Sequence, residues 1–112
     1  MTKKELSTLL NSIEIPVGEG EQFLESKGKY PKIAYWEYVW TDKMSSGSDY
    51  SNIVTYQISF ASAKPRDAKL LQLKKALNDK NLHPTIYHEY VTSENSPGYY
   101  HSYFSIDVEE DI

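Results

Sequence analysis

The segment IVTYQISF, residues 53–60, decides the fold of this 112-residue chain. Large apolar or aromatic side chains occupy every second position, namely Val54, Tyr56, Ile58 and Phe60, and the positions between them are polar. Successive side chains of a β-strand point to opposite faces of the sheet. Clean alternation of this kind is typical of an antiparallel strand with one face on the core and the other toward water.

A second strand, KIAYWEYVW at residues 32–40, is harder to place because neither of its faces is polar enough for water. Strict alternation puts Ile33, Tyr35, Glu37 and Val39 on one face and Lys32, Ala34, Trp36, Tyr38 and Trp40 on the other. The core can cover one face. The strand therefore raises the question of what covers the second.

Two segments have the period of amphipathic helices. In the first, Thr2 and Glu5 have the spacing of a capping box, and the apolar residues of the segment 6–13 recur at helical spacing. In the second, at residues 62–81, Asp67 lies near the positive end of the helix dipole. The apolar stripe of this second helix consists of Leu70, Leu73, Ala76 and Leu77.

Two further strands, at residues 85–91 and 99–109, complete a predicted order of α-β-β-α-β-β. Hairpins favour antiparallel pairing, and two helices cover about one face of a sheet. We therefore predict a single α+β domain over residues 1–112, with a four-stranded, mainly antiparallel sheet and two helices. The connector at residues 14–31 has no visible period and is long for a compact domain. The predicted core residues are Phe60, Leu70, Leu73, Leu77, Phe104 and Ile106.

The composition narrows the classes of partner. The formal net charge is −4, with 16 acidic and 12 basic residues, which disfavours binding to nucleic acid or to anionic membranes. There is no cysteine, in keeping with a reducing cytoplasm, and no apolar run suits a signal peptide or a membrane span. We expect a soluble protein that stays inside a cell, with no membrane partner and no specific nucleic-acid binding. The chain has ten tyrosines, a residue favoured at interfaces that are partly exposed to water, although strands favour tyrosine as well.

The chain has no set of residues with the spacing of a catalytic or metal site. His88 and His101 lie on strands expected to be neighbours and could meet across a hairpin, but zinc needs a third ligand. Glu89 points to the opposite face of its strand from His88, and His83 lies elsewhere. No nucleophile elbow is found, and GEGEQF at residues 18–23 lacks the third glycine of a dinucleotide loop. We expect no catalytic residue, no metal and no cofactor.

Over most of its length the chain resembles the tail terminator (tail completion, minor tail) proteins of long-tailed bacteriophages and prophages. The resemblance is carried by the succession KKELSTLLNSI, YPKIAYWEYVW, IVTYQISFAS, AKLLQLKKALND and YYHSYFSIDVEE. It is a pattern of elements and not a signature motif. Small α/β subunits of about this length are usual in that family.

The resemblance implies structural work and no catalysis. Such proteins form a homo-oligomeric ring, commonly a hexamer, which caps the tail tube, stops its growth and offers a surface to head-connector proteins. DNA passes through the lumen, and an acidic lumen would repel it. The implied location is the virion, with the cytoplasm of the bacterial host during assembly. Two other classes stay open: a head-closure or head–tail adaptor protein of the phage neck, and a small cellular ligand-binding or regulatory α+β domain.

The aromatic strand supplies the candidate interface. The candidate residues are Trp36, Tyr38, Trp40 and Tyr50. The first three share the second face of the predicted strand and could together bury roughly 500 Å² against a neighbouring chain or another virion protein. The polar loop at residues 41–52 could project to the same neighbour. The alternative is that residues 14–31 fold over these rings within one subunit, using Phe23, Leu24 and Tyr30.

Overall fold

A computed structural model describes residues 1–25, 30–44, 50–93 and 96–110, with the backbone alone described at residues 25, 44, 50, 51, 93, 96 and 97. In chain order its elements are α1 (Lys3–Asn11), β1 (Val17–Glu19), α2 (Glu21–Glu25), β2 (Lys32–Met44), β3 (Tyr50–Ser62), α3 (Ala68–Asp79), β4 (Tyr87–Ser93) and β5 (Ser96–Glu109). The strands form one sheet in the order β1-β2-β3-β5-β4. β1 runs parallel to β2, and the other three pairs are antiparallel.

The predicted four-stranded sheet with two helices is wrong. Within the described residues the α+β chain has a five-stranded mixed sheet and three helices. The additional strand β1 and helix α2 both lie in the connector 14–31, and they have three and five residues. Elements this short do not complete a recognisable hydrophobic period. β1 exists because β2 offers it a partner: Ile33 N–H donates to Pro16 O at 2.9 Å and Gly20 N–H donates to Tyr35 O at 2.9 Å.

The strands of the central hairpin are longer than predicted. β2 and β3 have 13 residues each, and the last pair joins Met44 to Tyr50. Most of the predicted loop at residues 41–52 is therefore strand, and its remainder, residues 45–49, lies outside the described residues. The two strands stay paired along this polar stretch because the ladder is made of backbone hydrogen bonds. Side-chain polarity is therefore a poor guide to where the strands end.

α1 begins with the predicted cap at Thr2, whereas α3 begins at Ala68, later than the predicted helix at residues 62–81, and has Asp67 as its N-cap. The Thr2 hydroxyl accepts a hydrogen bond from Glu5 N–H at 3.2 Å, and it donates to Glu5 Oε1 at 3.2 Å. At α3, Asp67 Oδ1 accepts from Lys69 N–H at 2.8 Å. These bonds satisfy backbone donors that have no partner in the first turn of a helix.

One core lies between the sheet and the two longer helices. All six predicted core residues are buried, with at most 5% of each side chain exposed. The cluster unites α1 and α3 with β2, β3 and β5; its sheet residues include Ile33, Val54, Tyr56, Ile58, Phe104 and Val108. We call the side of the sheet under α1 and α3 the helix-covered face, and the opposite side the open face.

The subunit is elongated. Its radius of gyration is 15.3 Å and its extents are 54 × 29 × 20 Å, whereas a compact domain of this length has a radius of about 13 Å. The β2–β3 hairpin continues past the end of β5, and the β4–β5 hairpin continues past the end of β3 in the opposite direction. The two ends of the long axis are therefore hairpins.

Tyr56 joins the core to the end of the chain. Its ring is fully buried, and its hydroxyl donates to Glu110 Oε2 at 2.9 Å. Burial, and then the bond to the Glu110 carboxylate, raises the pKa of the Tyr56 phenol well above its ordinary value of 10.0. The folded protein therefore holds this proton at a pH where the unfolded chain releases it.

We expect Leu73→Ala to lower the free energy of unfolding by about 2–5 kcal/mol, because Leu73 is fully buried between α3 and the sheet. Leu71→Ala is the matched control, since Leu71 lies on the same helix and is 53% exposed. Urea melts of the two variants measure the difference. A loss below about 0.5 kcal/mol for Leu73→Ala would contradict its burial.

We expect Tyr56→Phe to lower the free energy of unfolding by about 1–3 kcal/mol near neutral pH, because the charge-assisted hydrogen bond to Glu110 is lost. The raised pKa means that the stability linked to the Tyr56 proton is complete below pH 10.0 and declines as the pH rises above it. The phenylalanine variant should therefore lose less stability than the parent above pH 10.0. Tyr38→Phe, at a 64% exposed position, is the control and should follow the parent at every pH.

Candidate functional site

The half of β2 that follows Tyr35 has a sheet partner on one side only. β1 pairs with β2 no further than Glu19↔Tyr35, whereas β3 follows β2 to its end at Met44. No other described strand lies beside this part of β2. We call residues 37–44 the distal β2 edge. Unpaired backbone N–H and C=O groups along an edge can pair with another strand.

The distal β2 edge carries a run of large exposed side chains. Tyr38 is 64% exposed, Val39 42% and Trp40 60%. Single apolar residues on a surface are ordinary, but a contiguous group of this size suggests a surface that another molecule covers.

A β-bulge determines where these side chains point. Glu37 pairs with Tyr56 and Val39 pairs with Thr55, so Tyr38 is an extra residue and the alternation of faces reverses after it. Trp40 consequently pairs with Val54, a buried core residue, and lies on the helix-covered face. Its indole N–H donates to Glu37 Oε2 at 3.1 Å.

The bulge corrects the predicted surface. Trp36 lies on the open face and Trp40 on the helix-covered face, so Trp36, Tyr38 and Trp40 do not share one face. The prediction assumed unbroken alternation, and nothing in the residue types marks the bulge. The fourth candidate, Tyr50, pairs through its backbone with Met44 at the end of the hairpin, and its side chain lies outside the described residues.

Residues from the connector cover the first part of the open face, as the alternative interpretation expected. Leu24 of α2 is 7% exposed and forms a buried cluster with Ala34 and Ala61, against which Phe23, Trp36 and Tyr99 pack. The ring of Phe23 lies directly over Gly18 of β1, where a Cβ atom would be 2.4 Å from the ring. Trp36 is therefore partly covered by its own chain.

Lys32 lies beneath the same cover. It is only 2% exposed, and its Nζ atom lies 5.3 Å from the centre of the Tyr30 ring and 5.9 Å from that of Phe23. Burial lowers the pKa of the Lys32 amine. Aromatic faces attract a cation electrostatically, which offsets part of the cost of removing it from water.

A row of rings continues the cover across β5 to β4. Tyr99 stacks on Tyr30 at 5.6 Å, His101 stacks on Tyr103 at 4.9 Å, and Tyr103 stacks on Tyr87 at 5.5 Å between ring centres. The His101 Nδ1 atom lies 2.8 Å from Glu89 Oε1. Beyond this row the open face is polar, and Thr55 donates to Asp107 Oδ1 at 2.7 Å. The open face therefore needs less external cover than the sequence suggested.

The two strand histidines do not meet. His88 pairs with Ser102 on the helix-covered face, and its Nδ1 atom lies 2.7 Å from Ser102 Oγ. His101 pairs with Glu89 on the open face, because the β4–β5 register is offset by one residue from the arrangement that would bring the histidines together. Among the described residues no three potential ligands gather in a way that would hold a metal ion. The described helices likewise include none with the length and apolarity to cross a bilayer.

The sequence reasoning overlooked Val39 and the two exposed tyrosines of β4. Tyr87 is 56% exposed and Tyr90 is 55% exposed. They are three residues apart and therefore lie on opposite faces of their strand. The signal available in the sequence was the segment YHEYV, which offers an aromatic side chain to each face of its strand.

No family model matches the chain, and no curated protein sequence is significantly similar to it.

We expect Gly18→Ala to lower the free energy of unfolding by about 1–3 kcal/mol, because the added methyl group would overlap the Phe23 ring. In a Phe23→Ala background the same substitution should cost far less, since the ring is absent. Urea melts of the four proteins give the coupling energy of a double-mutant cycle. Equal costs of Gly18→Ala in both backgrounds would show that Phe23 does not lie over β1.

Proposed function

We propose that the protein is a structural component of the tail of a long-tailed bacteriophage or prophage, and specifically a tail terminator. In this role it assembles as a ring, a hexamer by the usual pattern of such proteins, that caps the tail tube and presents a surface to the head connector. The observation that carries the proposal is the distal β2 edge, where Tyr38, Val39 and Trp40 are exposed on a strand that has a described sheet partner on one side only.

Two further features support a role in assembly. The resemblance of the element pattern to tail terminators extends over most of the chain. The elongated subunit, with a hairpin at each end of its 54 Å axis, offers separate surfaces for more than one neighbour. A structural protein of a ring needs at least two such surfaces, because each subunit contacts a neighbour on either side.

The geometry changes the expected roles of the two tryptophans. Trp36 packs against Leu24 and its cluster and contributes to the stability of the monomer, whereas the exposed Trp40 is available for contact with a partner. Tyr38, as the extra residue of the bulge, is the most exposed of the three candidates for which a side chain is described. The interface proposed here is therefore Tyr38, Val39 and Trp40.

The test uses tails assembled in cells that lack the gene for this protein. Purified protein is added to these tails and to DNA-filled heads, and both are viewed by negative-stain electron microscopy. We expect a ring at the head-proximal end of the tails and restored joining to heads. Binding to heads without binding to tails would favour the head-closure or adaptor alternative, and binding to neither would contradict the proposed function.

We expect Trp40→Ser to abolish capping while changing the free energy of unfolding by no more than about 0.5 kcal/mol. Trp36→Ser should instead lower that free energy by about 1–3 kcal/mol, because Trp36 is partly buried. Leu71→Ser, at a 53% exposed position on α3, is the control and should cap tails as the parent does. If Trp40→Ser caps tails normally, Trp40 is not part of the interface.

A further inference from the structure

The exposed apolar residues of this protein are concentrated at sheet edges. Within the described residues seven large hydrophobic side chains are exposed: Tyr30, Tyr38, Val39, Trp40, Leu71, Tyr87 and Tyr90. Five of these seven lie on β4 or on the distal β2 edge. A random scatter over the surface would not concentrate these side chains on two strand segments whose backbone groups also lack a described sheet partner on one side.

β4 is the second of these edges. It pairs with β5 on one side, and no described strand lies on the other. It has seven residues, and the distal β2 edge, residues 37–44, has a nearly equal length. Both edges are therefore long enough to form a ladder with a strand of the other's length, and both carry exposed aromatic side chains.

We propose that β4 of one subunit pairs with the distal β2 edge of a second copy of this chain, so that the two sheets become continuous. The proposal rests on the proposed ring assembly and adds the surface that receives the distal β2 edge. The partner is a second copy because the same chain supplies two edges of matching length and aromatic character, one at each side of its sheet.

The strand directions suit this pairing. β2 and β5 run in one direction, and β3 and β4 run in the other. A neighbour related by rotation without reversal therefore brings its β4 antiparallel to β2. Antiparallel ladders are slightly more stable per residue than parallel ones. Contacts of this kind are heterologous, so they continue from subunit to subunit until the rotation closes a ring.

The positions of the two edges determine how neighbours are displaced. Trp40 pairs with Val54 of β3. Tyr90 pairs with Tyr100 of β5, and Tyr100 in turn pairs with Ser62 of β3. At about 3.3 Å per residue, the two edges are offset by about 26 Å along the strands, and the four strands β2, β3, β5 and β4, about 4.8 Å apart, are about 19 Å wide. Closure by rotation then requires strands inclined by roughly 54° to the ring axis, steeper than the tilt of about 35–45° in closed barrels.

The rings alone give a weak contact. Full burial of a tyrosine or tryptophan removes about 150–250 Å² from water, so covering the exposed parts of Tyr38, Trp40, Tyr87 and Tyr90 removes on the order of 500 Å². Stable interfaces bury about 1,200–2,000 Å² in total. The backbone ladder and the flanking residues must supply the rest, and we expect association of the isolated protein only at high concentration.

The test compares single lysine substitutions, because a lysine on an edge strand opposes pairing with another strand. Tyr90→Lys alters β4, Trp40→Lys alters the distal β2 edge, and Leu71→Lys is a control on α3 with similar exposure. In sedimentation velocity over a series up to about 1 mM, we expect the parent and the control to self-associate. Each edge variant alone should associate more weakly, with a dissociation constant raised at least about tenfold over that of the parent.

Mixing the two edge variants identifies which edges meet. Tyr90→Lys keeps an intact distal β2 edge, and Trp40→Lys keeps an intact β4. We expect the equimolar mixture to form heterodimers and nothing larger, because one competent contact is restored and no further one is available. Self-association of Tyr90→Lys alone at parental strength would overturn the proposal and indicate pairing between two distal β2 edges. A Tyr90→Lys variant that fails to fold, as judged by circular dichroism, is replaced by Tyr87→Lys.

The outcomes separate this inference from the proposed function. A parent protein that stays monomeric over the whole series, with no heterodimer in the mixture, overturns the edge pairing. Capping of tails by the same parent would then keep the tail function and make another virion protein the partner of the distal β2 edge. Edge pairing in solution without any binding to tails would instead support the pairing and contradict the tail function.

Discussion

The pairing of β3 with both of its neighbours fixes the side of the sheet on which each neighbouring side chain lies. β3 pairs with β2 over almost its whole length and with β5 from Ile53 to Ser62. Its alternate residues Val54, Tyr56, Ile58 and Phe60 are fully buried under α1 and α3. With this stripe held in the core, a shift of one residue in either ladder would turn the core-facing side chains of the neighbouring strand to the open face, so burial of this one stripe sets the register of the sheet.

The β-bulge at Tyr38 is the place where β2 departs from that register. Before it, β2 behaves as an interior strand with β1 on one side and β3 on the other. After it, Trp40 lies on the helix-covered face but beyond the reach of the helices, so it remains 60% exposed. The bulge therefore separates a half of β2 that contributes to the core from a half that is available to another molecule.

Sequence reasoning succeeded where one residue pattern has one physical outcome. The cap at Thr2 and the buried stripe of α3 follow from local chemistry, and the structure has them as predicted. It failed at β1, α2 and the bulge, because their causes are not local. β1 needs the free side of β2, α2 needs Gly18 to leave room for Phe23, and the bulge shows only as a change in pairing. For the same reason the candidate interface residues were assigned to one face of β2, whereas the bulge separates Trp36 from Trp40.

The periphery of the sheet is protected unevenly. Natural edges are usually shortened, bulged, or interrupted by proline and inward-pointing charge. β1 is an edge strand of only three residues and is followed at once by α2, so it offers few backbone groups to another strand. β4 and the distal β2 edge contain no proline and expose aromatic rings instead. A bulge alone does not remove the backbone groups on either side of it. The two long edges thus combine available backbone with apolar side chains, a combination that favours pairing with another strand over exposure to water.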